Sequence, residues 1–171
     1  DLFEDSVRIR MRSDVPVGVC LSGGLDSTAI ICAAARQRGE TAAGQSESLQ
    51  AFCYMAKEFD ESKYITDTLT QTRAQLRQLE TSPAELWSDL RQLLWFQDEP
   101  VHTMTAVVGY QLMRLAASNG IRVVLNGQGA DETIGGYSSY FQDYWVSLLR
   151  QGRVREAWQA VTAYTEAHGG N

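Results

Sequence analysis

The residues with the most evident capacity for chemistry lie in the string VGVCLSGGLDS, at positions 17–27. A short apolar strand pattern runs into Ser22-Gly23-Gly24, and an apolar helix pattern follows. A glycine turn between a strand and a helix presents backbone N–H groups at the positive end of the helix, which favours an anion. The string has neither the lysine of a Walker-type loop nor the G-x-G-x-x-G spacing of a dinucleotide-binding loop. It therefore predicts an anion site of another kind.

This string is similar to the SGG-x-D-S pyrophosphate loop of enzymes that split ATP into AMP and pyrophosphate. Asp26 is its unusual residue, because a carboxylate repels a phosphate unless a cation lies between them. We therefore expect Asp26 to bind Mg²⁺, with the metal bridging to the leaving pyrophosphate. Ser22 and Ser27 add hydroxyl groups, and Ser27 is also placed to cap the helix. A simple strand–turn–helix junction with a capping serine is the alternative interpretation.

A second glycine-rich loop is expected at 126–136, within the string VVLNGQGADETIGGY at positions 123–137, and it carries the acidic pair Asp131-Glu132. Ligands of open parallel sheets bind outside the carboxyl ends of the strands, where the strand order reverses. If the first and fourth strands are neighbours, both loops meet there, and Asp26 and Asp131 could share one cation or hold two. The alternative is a flexible glycine loop with a solvated acidic pair.

Alternating strand and helix patterns must position these loops. We expect strands at 17–21, 49–55, 75–80 and 121–125, of which 75–80 is weak enough to be an edge. We expect helices at 1–13, 27–38, 60–72, 83–97, within 101–119, at 137–151 and at 153–168, and a polar, disordered loop at 39–48. This alternation predicts an α/β fold in which helices cover both faces of a parallel sheet.

Length and composition limit the class of protein to which this chain can belong. The 171 residues suit one domain, and a net charge of −6 does not suggest a nucleic-acid-binding face. Cys20, Cys32 and Cys53 lie in apolar patterns, which indicates buried free thiols; a catalytic cysteine is the weaker alternative. No apolar run or signal pattern indicates a membrane, so we expect a soluble, cytoplasmic protein. The helix that opens at Asp1 without an initiator methionine suggests a piece of a larger chain.

Four blocks in one order resemble the synthetase domain of the glutamine-dependent asparagine synthetases. The blocks are LSGGLDS (21–27), FDESKY (59–64), DEPVHT (98–103) and NGQGADETIGGY (126–137). The resemblance implies an adenine nucleotide α-hydrolase-like (ATP pyrophosphatase) fold with strand order 3-2-1-4 or a close variant. Residues 1–171 would be part of that domain, with an N-terminal glutaminase domain and a downstream remainder lying outside it.

The resemblance also implies a reaction. A carboxylate, expected to be that of aspartate, attacks the α-phosphorus of ATP-Mg²⁺, pyrophosphate leaves, and ammonia from glutamine displaces AMP to give asparagine. The glutaminase domain of the same parent protein would supply the ammonia, and a homodimer is left open. Two alternatives stand beside it: a synthetase that forms a lactam or lasso peptide with an intramolecular amine, and a nucleotide-binding module without chemistry.

Site residues follow from the resemblance by position. Pyrophosphate and Mg²⁺ would be held by the first loop, through Ser22, Gly23, Gly24, Asp26 and Ser27. Asp131 would be the second metal or pyrophosphate carboxylate. The adenine pocket would be lined from the ends of two strands and from the second loop, by Cys20, Leu21, Tyr54, Asn126 and Gly127.

Gln128 is a departure from the family pattern, because asparagine synthetases proper usually carry glutamate there. The resemblance implies that this glutamate binds or deprotonates the attacking nitrogen. An amide cannot accept a proton near neutral pH, so Gln128 could orient an amine but not act as a base. We therefore name Asp26, Asp131 and Gln128 as candidate catalytic residues.

Several other residues carry weaker expectations. The family's catalytic lysine would lie downstream of this chain, and Lys63 is expected to be solvated. His102 suits a turn or helix start, with catalysis as the alternative, and His168 is expected to be exposed. The tryptophans are expected to pack in a core or an interface; they are Trp87, Trp95, Trp145 and Trp158.

Overall fold

The computed structural model describes residues 1–41, 48–55 and 61–169. The chain divides into two compact units, Asp1–Gly127 and Gln128–Asn171. Most of the loop predicted at 39–48 lies outside the described residues, as do Lys57 and the first two residues of the FDESKY block.

The first unit alternates helices and strands. They are α1 (Leu2–Arg10), β1 (Val17–Cys20), α2 (Leu25–Thr41), β2 (Gln50–Tyr54), α3 (Ser62–Thr72), β3 (Gln75–Leu79), α4 (Pro83–Gln97), α5 (Thr105–Ser118) and β4 (Val123–Leu125). The described residues of the second unit form helices α6 (Ala130–Ile134), α7 (Ser138–Arg150) and α8 (Val154–Ala167). Helix α2 continues to Thr41, three residues beyond its predicted end. None of the helices in the described ranges is long and apolar enough to span a membrane.

The sheet has the predicted topology. Its strands are parallel and lie in the order β3-β2-β1-β4, which confirms the expected order 3-2-1-4. Gly18 pairs with Gln50 on one side of β1 and with Val124 on the other. The chain builds β2 and β3 outward from β1 and then returns to the opposite side of β1 for β4. The strand order therefore reverses beside β1, where parallel α/β sheets bind their ligands.

Helices cover both faces of this sheet because alternate residues of β2 point to opposite sides. Ala51 and Cys53 pack with Ile31 of α2 in one apolar cluster, whereas Phe52 packs with Ala116 of α5 in another. The Phe52 ring reaches across β1, since a Cβ at Gly18 would lie 2.7 Å from its Cε2 atom. The absence of a side chain at Gly18 thus makes room for the ring of Phe52, the largest fully buried side chain.

Strand β3 is the edge strand that its weak pattern predicted, and its side chains are mostly exposed. Helix α4 begins at Pro83 as expected, behind a capping box formed by Ser82 and Glu85. The Ser82 N–H donates to Glu85 Oε2 at 2.8 Å, and the Glu85 N–H donates to Ser82 Oγ at 3.3 Å. The Ser82 hydroxyl, which donates to Glu85 Oε2 at 2.7 Å, and the Ser82 N–H lower the pKa of the Glu85 carboxyl.

Helices α7 and α8 pack through an aromatic cluster. Tyr164 of α8 lies 4.8 Å from Phe141 and 5.4 Å from Trp145, measured between ring centroids. His168 is exposed, as expected, but it also stacks on Tyr164 with centroids 4.1 Å apart.

The expectation of core packing holds only for Trp145 among the tryptophans. The other three have 67%, 79% and 74% of their surface exposed, so core packing is wrong for Trp87, Trp95 and Trp158. Their interface packing stays a prediction, because amphipathic periodicity alone does not say what covers an apolar face.

Candidate functional site

The loop after β1 is closed by hydrogen bonds among its own residues. Ser27 is buried, and its Oγ accepts a hydrogen bond from the Ser22 N–H at 3.1 Å. The same Oγ lies 2.9 Å from Ser22 O and 2.9 Å from Ser22 Oγ. Helix α2 begins at Leu25, so the expectation that Ser27 caps it is wrong. Ser27 instead ties the start of the loop to the first turn of the helix.

The two glycines of the loop allow close approach rather than an unusual backbone conformation, since neither has a positive φ angle. A Cβ at Gly23 would lie 2.6 Å from Cβ of Glu61, and a Cβ at Gly24 would lie 3.2 Å from Ser22 Oγ. The Gly23 N–H donates to Glu61 Oε2 at 3.0 Å. The N–H of Gly23 therefore already has an anionic partner within the chain.

The loop after β4 begins against the first loop. A Cβ at Gly127 would lie 3.0 Å from Cβ of Asp26 and 3.1 Å from the backbone N of Ser27. Only a residue without a side chain fits this approach without displacing its neighbours. This contact of Gly127 with Asp26 and Ser27 confirms the expectation that the two loops meet, for the part of the second loop up to Gly127. Asn126 follows β4 directly, and Asp26 is half-buried in the first turn of α2.

The expected adenine-pocket residues lie at the carboxyl ends of neighbouring strands. Cys20 ends β1 and Tyr54 ends β2, while Leu21 is buried behind the loop, where its N–H donates to Phe52 O at 2.8 Å. Burial raises the pKa of the Cys20 thiol, and it raises that of Cys53 to about 11. A thiol with a raised pKa is a poor nucleophile at neutral pH. The free-thiol expectation is confirmed, although Cys20 and Cys32 are only half-buried.

Asp131 and Glu132 belong to the second unit. The sequence predicted a loop at 126–136, but a short helix, α6, occupies part of it. Gly129 and Gly135 flank this helix with φ angles of 92° and 74°, and such left-handed residues begin and end it at little steric cost.

Each member of the acidic pair has a local contact. The Asp131 carboxylate lies over Gly136, where an added Cβ would collide with its Oδ1 and force the carboxylate to move. The Tyr137 hydroxyl donates to Glu132 Oε1 at 3.2 Å, and this bond raises the pKa of Tyr137. The sharing of a cation by Asp26 and Asp131 stays a prediction.

Other candidate groups lie apart from the loops or contribute little. His102 is exposed in the turn before α5. A cavity of about 780 Å³ lies at the amino ends of β1 and β2, beside Val17 and Gln50, and contains none of the predicted site residues. The ranges that the structure describes hold no group of three or more His, Cys, Asp or Glu side chains suited to a metal ion. Magnesium sites commonly use only one or two carboxylates together with substrate phosphates.

The sequence reasoning missed the role of Glu61 at the first loop. Its FDESKY block was recognisable, but nothing in that block indicates which backbone group the glutamate contacts. The contact joins residues that are 38 positions apart, and local patterns carry no information about such a pair.

Comparison with known proteins identifies the class. The family model described as Asparagine synthase matches residues 1–169. The chain therefore belongs to the asparagine synthase family, whose domain is of the adenine nucleotide α-hydrolase type.

Individual relatives agree with the family match. The chain is 33% identical over 142 residues to asparagine synthetase [glutamine-hydrolyzing] 1 of Bacillus subtilis, covering 82% of this chain and 21% of that protein. It is 30% identical over 150 residues to putative asparagine synthetase [glutamine-hydrolyzing] 2 of Methanocaldococcus jannaschii, covering 88% and 28%. It is 26% identical over 174 residues to amidase chry2 of Gibberella zeae, covering 96% and 25%. The chain thus spans about a quarter of the length of these relatives.

Proposed function

We propose that this chain is the ATP-binding part of a ligase that adenylates a carboxylate, releases pyrophosphate and transfers the acyl group to nitrogen. The supporting observation is the meeting of two glycine-bearing loops at the carboxyl end of β1. A Cβ at Gly127 would lie 3.0 Å from Cβ of Asp26, so the backbone at the start of the second loop lies directly against this residue. Membership of the asparagine synthase family supports the same assignment.

The donors of the first loop fit a pyrophosphate group. Backbone N–H groups beside the start of α2 suit phosphate oxygens, and the Gly23 N–H already binds a carboxylate oxygen at 3.0 Å. An N–H that donates to a carboxylate oxygen can also donate to a phosphate oxygen, because both are anionic acceptors. In this proposal Ser22 and Gly24 also contact the pyrophosphate, while Ser27 maintains the conformation of the loop.

The half-buried carboxylate of Asp26 fits a magnesium ion shared with phosphate oxygens. Bound Mg²⁺ would neutralise the charge that develops on the leaving pyrophosphate. The proposal assigns Asp131 as the second carboxylate of the site. It assigns Asn126 and Gly127 to one side of the nucleotide, and Cys20, Leu21 and Tyr54 to the adenine side.

The proposed substrates are ATP, aspartate and ammonia. Attack of the aspartate carboxylate on the α-phosphorus breaks the bond to pyrophosphate and forms an acyl-adenylate. Attack of ammonia on the acyl carbon then releases AMP and gives asparagine, and the surplus proton passes to solvent. Gln128 would orient the amine through its side-chain oxygen, since an amide takes no proton at neutral pH.

The proposal extends to the parent protein. Two of the relatives carry the words glutamine-hydrolyzing in their names, which supports a glutaminase domain as the partner that delivers ammonia. A cytoplasmic location is supported by three cysteines that form no disulfide. A homodimer is part of the proposal and rests on the exposed tryptophans Trp87, Trp95 and Trp158.

One observation favours a second candidate. Gln128 replaces the glutamate that asparagine synthetases proper usually carry, so the acceptor could be an amine other than ammonia. A synthetase that closes a lactam or a lasso peptide with an intramolecular amine keeps the adenylation half and changes only the acceptor.

The test is an assay of the full-length parent protein with ATP, Mg²⁺, glutamine and aspartate, in which pyrophosphate, AMP and asparagine are quantified. Pyrophosphate and asparagine in equal amounts are expected. Pyrophosphate that forms only with another carboxylate would transfer the mechanism to a different substrate. The absence of pyrophosphate with every carboxylate tested would contradict the proposal and favour a binding module.

A further inference from the structure

The Gly23 N–H, which the proposed function assigns to pyrophosphate, already has an anionic partner. Glu61 Oε2 accepts its hydrogen bond at 3.0 Å. Glu61 immediately precedes α3, and its side chain makes no capping hydrogen bond to that helix. The carboxylate is therefore directed to the glycine loop instead of to the backbone N–H groups of its own helix.

The rest of the Glu61 side chain lies along the loop. A Cβ at Gly23 would lie 2.6 Å from Cβ, 3.1 Å from Cγ and 3.2 Å from Cδ of Glu61. These distances place the whole side chain over Gly23. A phosphate oxygen and the Glu61 carboxylate cannot both accept the hydrogen bond of the Gly23 N–H, because each needs the space in front of that donor.

No basic side chain in the described ranges forms an ion pair with Glu61. The carboxylate is exposed, so water can solvate it when it leaves the loop. Its contact with Gly23 is thus reversible, and rotation of a single side chain is enough to break it.

We infer that Glu61 is a built-in competitor of the nucleotide: its carboxylate accepts from the Gly23 N–H, and the pyrophosphate moiety must displace it to bind there. This inference rests on the proposed function, because it assumes that the loop binds pyrophosphate. The apparent affinity for the anion is reduced by the fraction of molecules in which Glu61 covers the donor. The contact also satisfies the Gly23 N–H when no ligand is bound.

The test is a calorimetric titration of this chain with inorganic pyrophosphate, comparing the wild type with Glu61→Ala and Glu61→Gln. Glu61→Ala is expected to tighten pyrophosphate binding by about 3- to 10-fold, which corresponds to a wild-type loop that is covered in most molecules. Glu61→Gln is expected to give a smaller gain, because its amide oxygen can still accept from Gly23. Unchanged or weaker binding in Glu61→Ala would overturn the inference.

Asp67→Asn is the matched control for charge. Asp67 is exposed on α3, and this substitution removes the same charge as Glu61→Gln without touching the loop. Its pyrophosphate affinity is expected to stay within about twofold of the wild type, since exposed charges are screened by salt. An equal gain in Asp67→Asn would assign the effect to long-range repulsion and overturn the inference.

A second readout separates the inference from the proposed function. The amide resonance of Gly23 is expected to shift in ligand-free Glu61→Ala and to coincide with the wild type when both are saturated with pyrophosphate. If the wild type binds pyrophosphate and Glu61→Ala binds it equally, only the competitor role fails. If neither protein binds pyrophosphate or ATP-Mg²⁺ while both are folded, the anion site fails and the competitor role fails with it.

Discussion

Replacing Ser27 by alanine tests the architecture of the first loop. The side chain is buried, and its Oγ is the acceptor for the Ser22 N–H at 3.1 Å. It also lies within hydrogen-bonding distance of Ser22 Oγ, at 2.9 Å, and of Gly24 O, at 3.2 Å. Alanine removes this junction while leaving the first turn of α2 intact.

The expected loss in the free energy of unfolding is about 1–2 kcal/mol. Leaving a buried donor without an acceptor costs about 1–3 kcal/mol, and the exposure of Ser22 to water places this case in the lower half of that range. For a chain of this size the loss corresponds to a decrease in Tm of about 2–8 °C. A loop released from Ser27 should also bind pyrophosphate at least about fivefold more weakly, which is ~1 kcal/mol.

The assay is thermal denaturation together with pyrophosphate titration, and Ser88→Ala is the control. Ser88 is exposed on α4, and its hydroxyl only donates to Glu85 O at 2.9 Å within the same helix. Its replacement should change the free energy of unfolding by less than about 0.5 kcal/mol. Equal stability and equal pyrophosphate affinity in Ser27→Ala and Ser88→Ala would refute the assignment of Ser27 as the residue that shapes the loop.

Three further predictions address the site and the fold. Gly127→Ala should weaken ATP-Mg²⁺ binding at least about tenfold, because its Cβ would crowd Asp26. Gly109→Ala in α5 is the control: its Cβ would have open space, so calorimetry should show an unchanged or higher thermal stability. Urea titrations across the acidic pH range should show that the wild type is more stable than Glu85→Gln. This difference in stability should be full above pH 4.5, the ordinary pKa of this carboxyl, and should shrink as the pH falls through the lowered pKa. Cys53, whose pKa is raised to about 11, should resist a thiol-disulfide reagent at pH 8 until the protein is unfolded.

Each of these has a result that counts against it. Wild-type affinity for ATP-Mg²⁺ in Gly127→Ala would show that a Cβ at this position does not disturb Asp26. A Glu85→Gln difference that grows as the pH falls would reverse the sign expected for a lowered pKa. Rapid labelling of Cys53 in the folded protein would show that its burial is transient.

The parallel sheet could be predicted because it depends on a repeated local pattern, whereas its strand order 3-2-1-4 was implied by the resemblance to the asparagine synthetases. Apolar runs such as those of β1 and β2, separated by helical periodicity, leave few topologies for a parallel sheet. The position of the first loop followed from the same pattern, since Ser22 must lie where β1 ends. The meeting of Gly127 with Asp26 was then a consequence of β4 lying beside β1.

The direction of individual polar side chains could not be predicted. A serine in a phosphate-type loop can face a ligand or its own backbone, and only the packed structure shows that Ser27 is buried and faces Ser22. The partner of Glu61 was equally inaccessible, because its contact with Gly23 depends on how α3 packs after β2.

The short helix α6 was missed for a different reason. Glycine runs are typical of loops, and the sequence predicted one at 126–136. Gly129 and Gly135 instead take left-handed conformations that flank a single helical segment. Glycine allows both outcomes, so its presence does not distinguish a flexible loop from a pair of helix boundaries.

The measurement that tests the central claim most directly is calorimetric titration of this chain with ATP in the presence and absence of Mg²⁺, for the wild type and for Asp26→Asn. The account predicts that Mg²⁺ tightens ATP binding to the wild type and that Asp26→Asn, with its fold intact by circular dichroism, loses this gain. ATP-Mg²⁺ affinity that is unchanged in Asp26→Asn would contradict the assignment of Asp26 as the metal ligand of a pyrophosphate-binding loop.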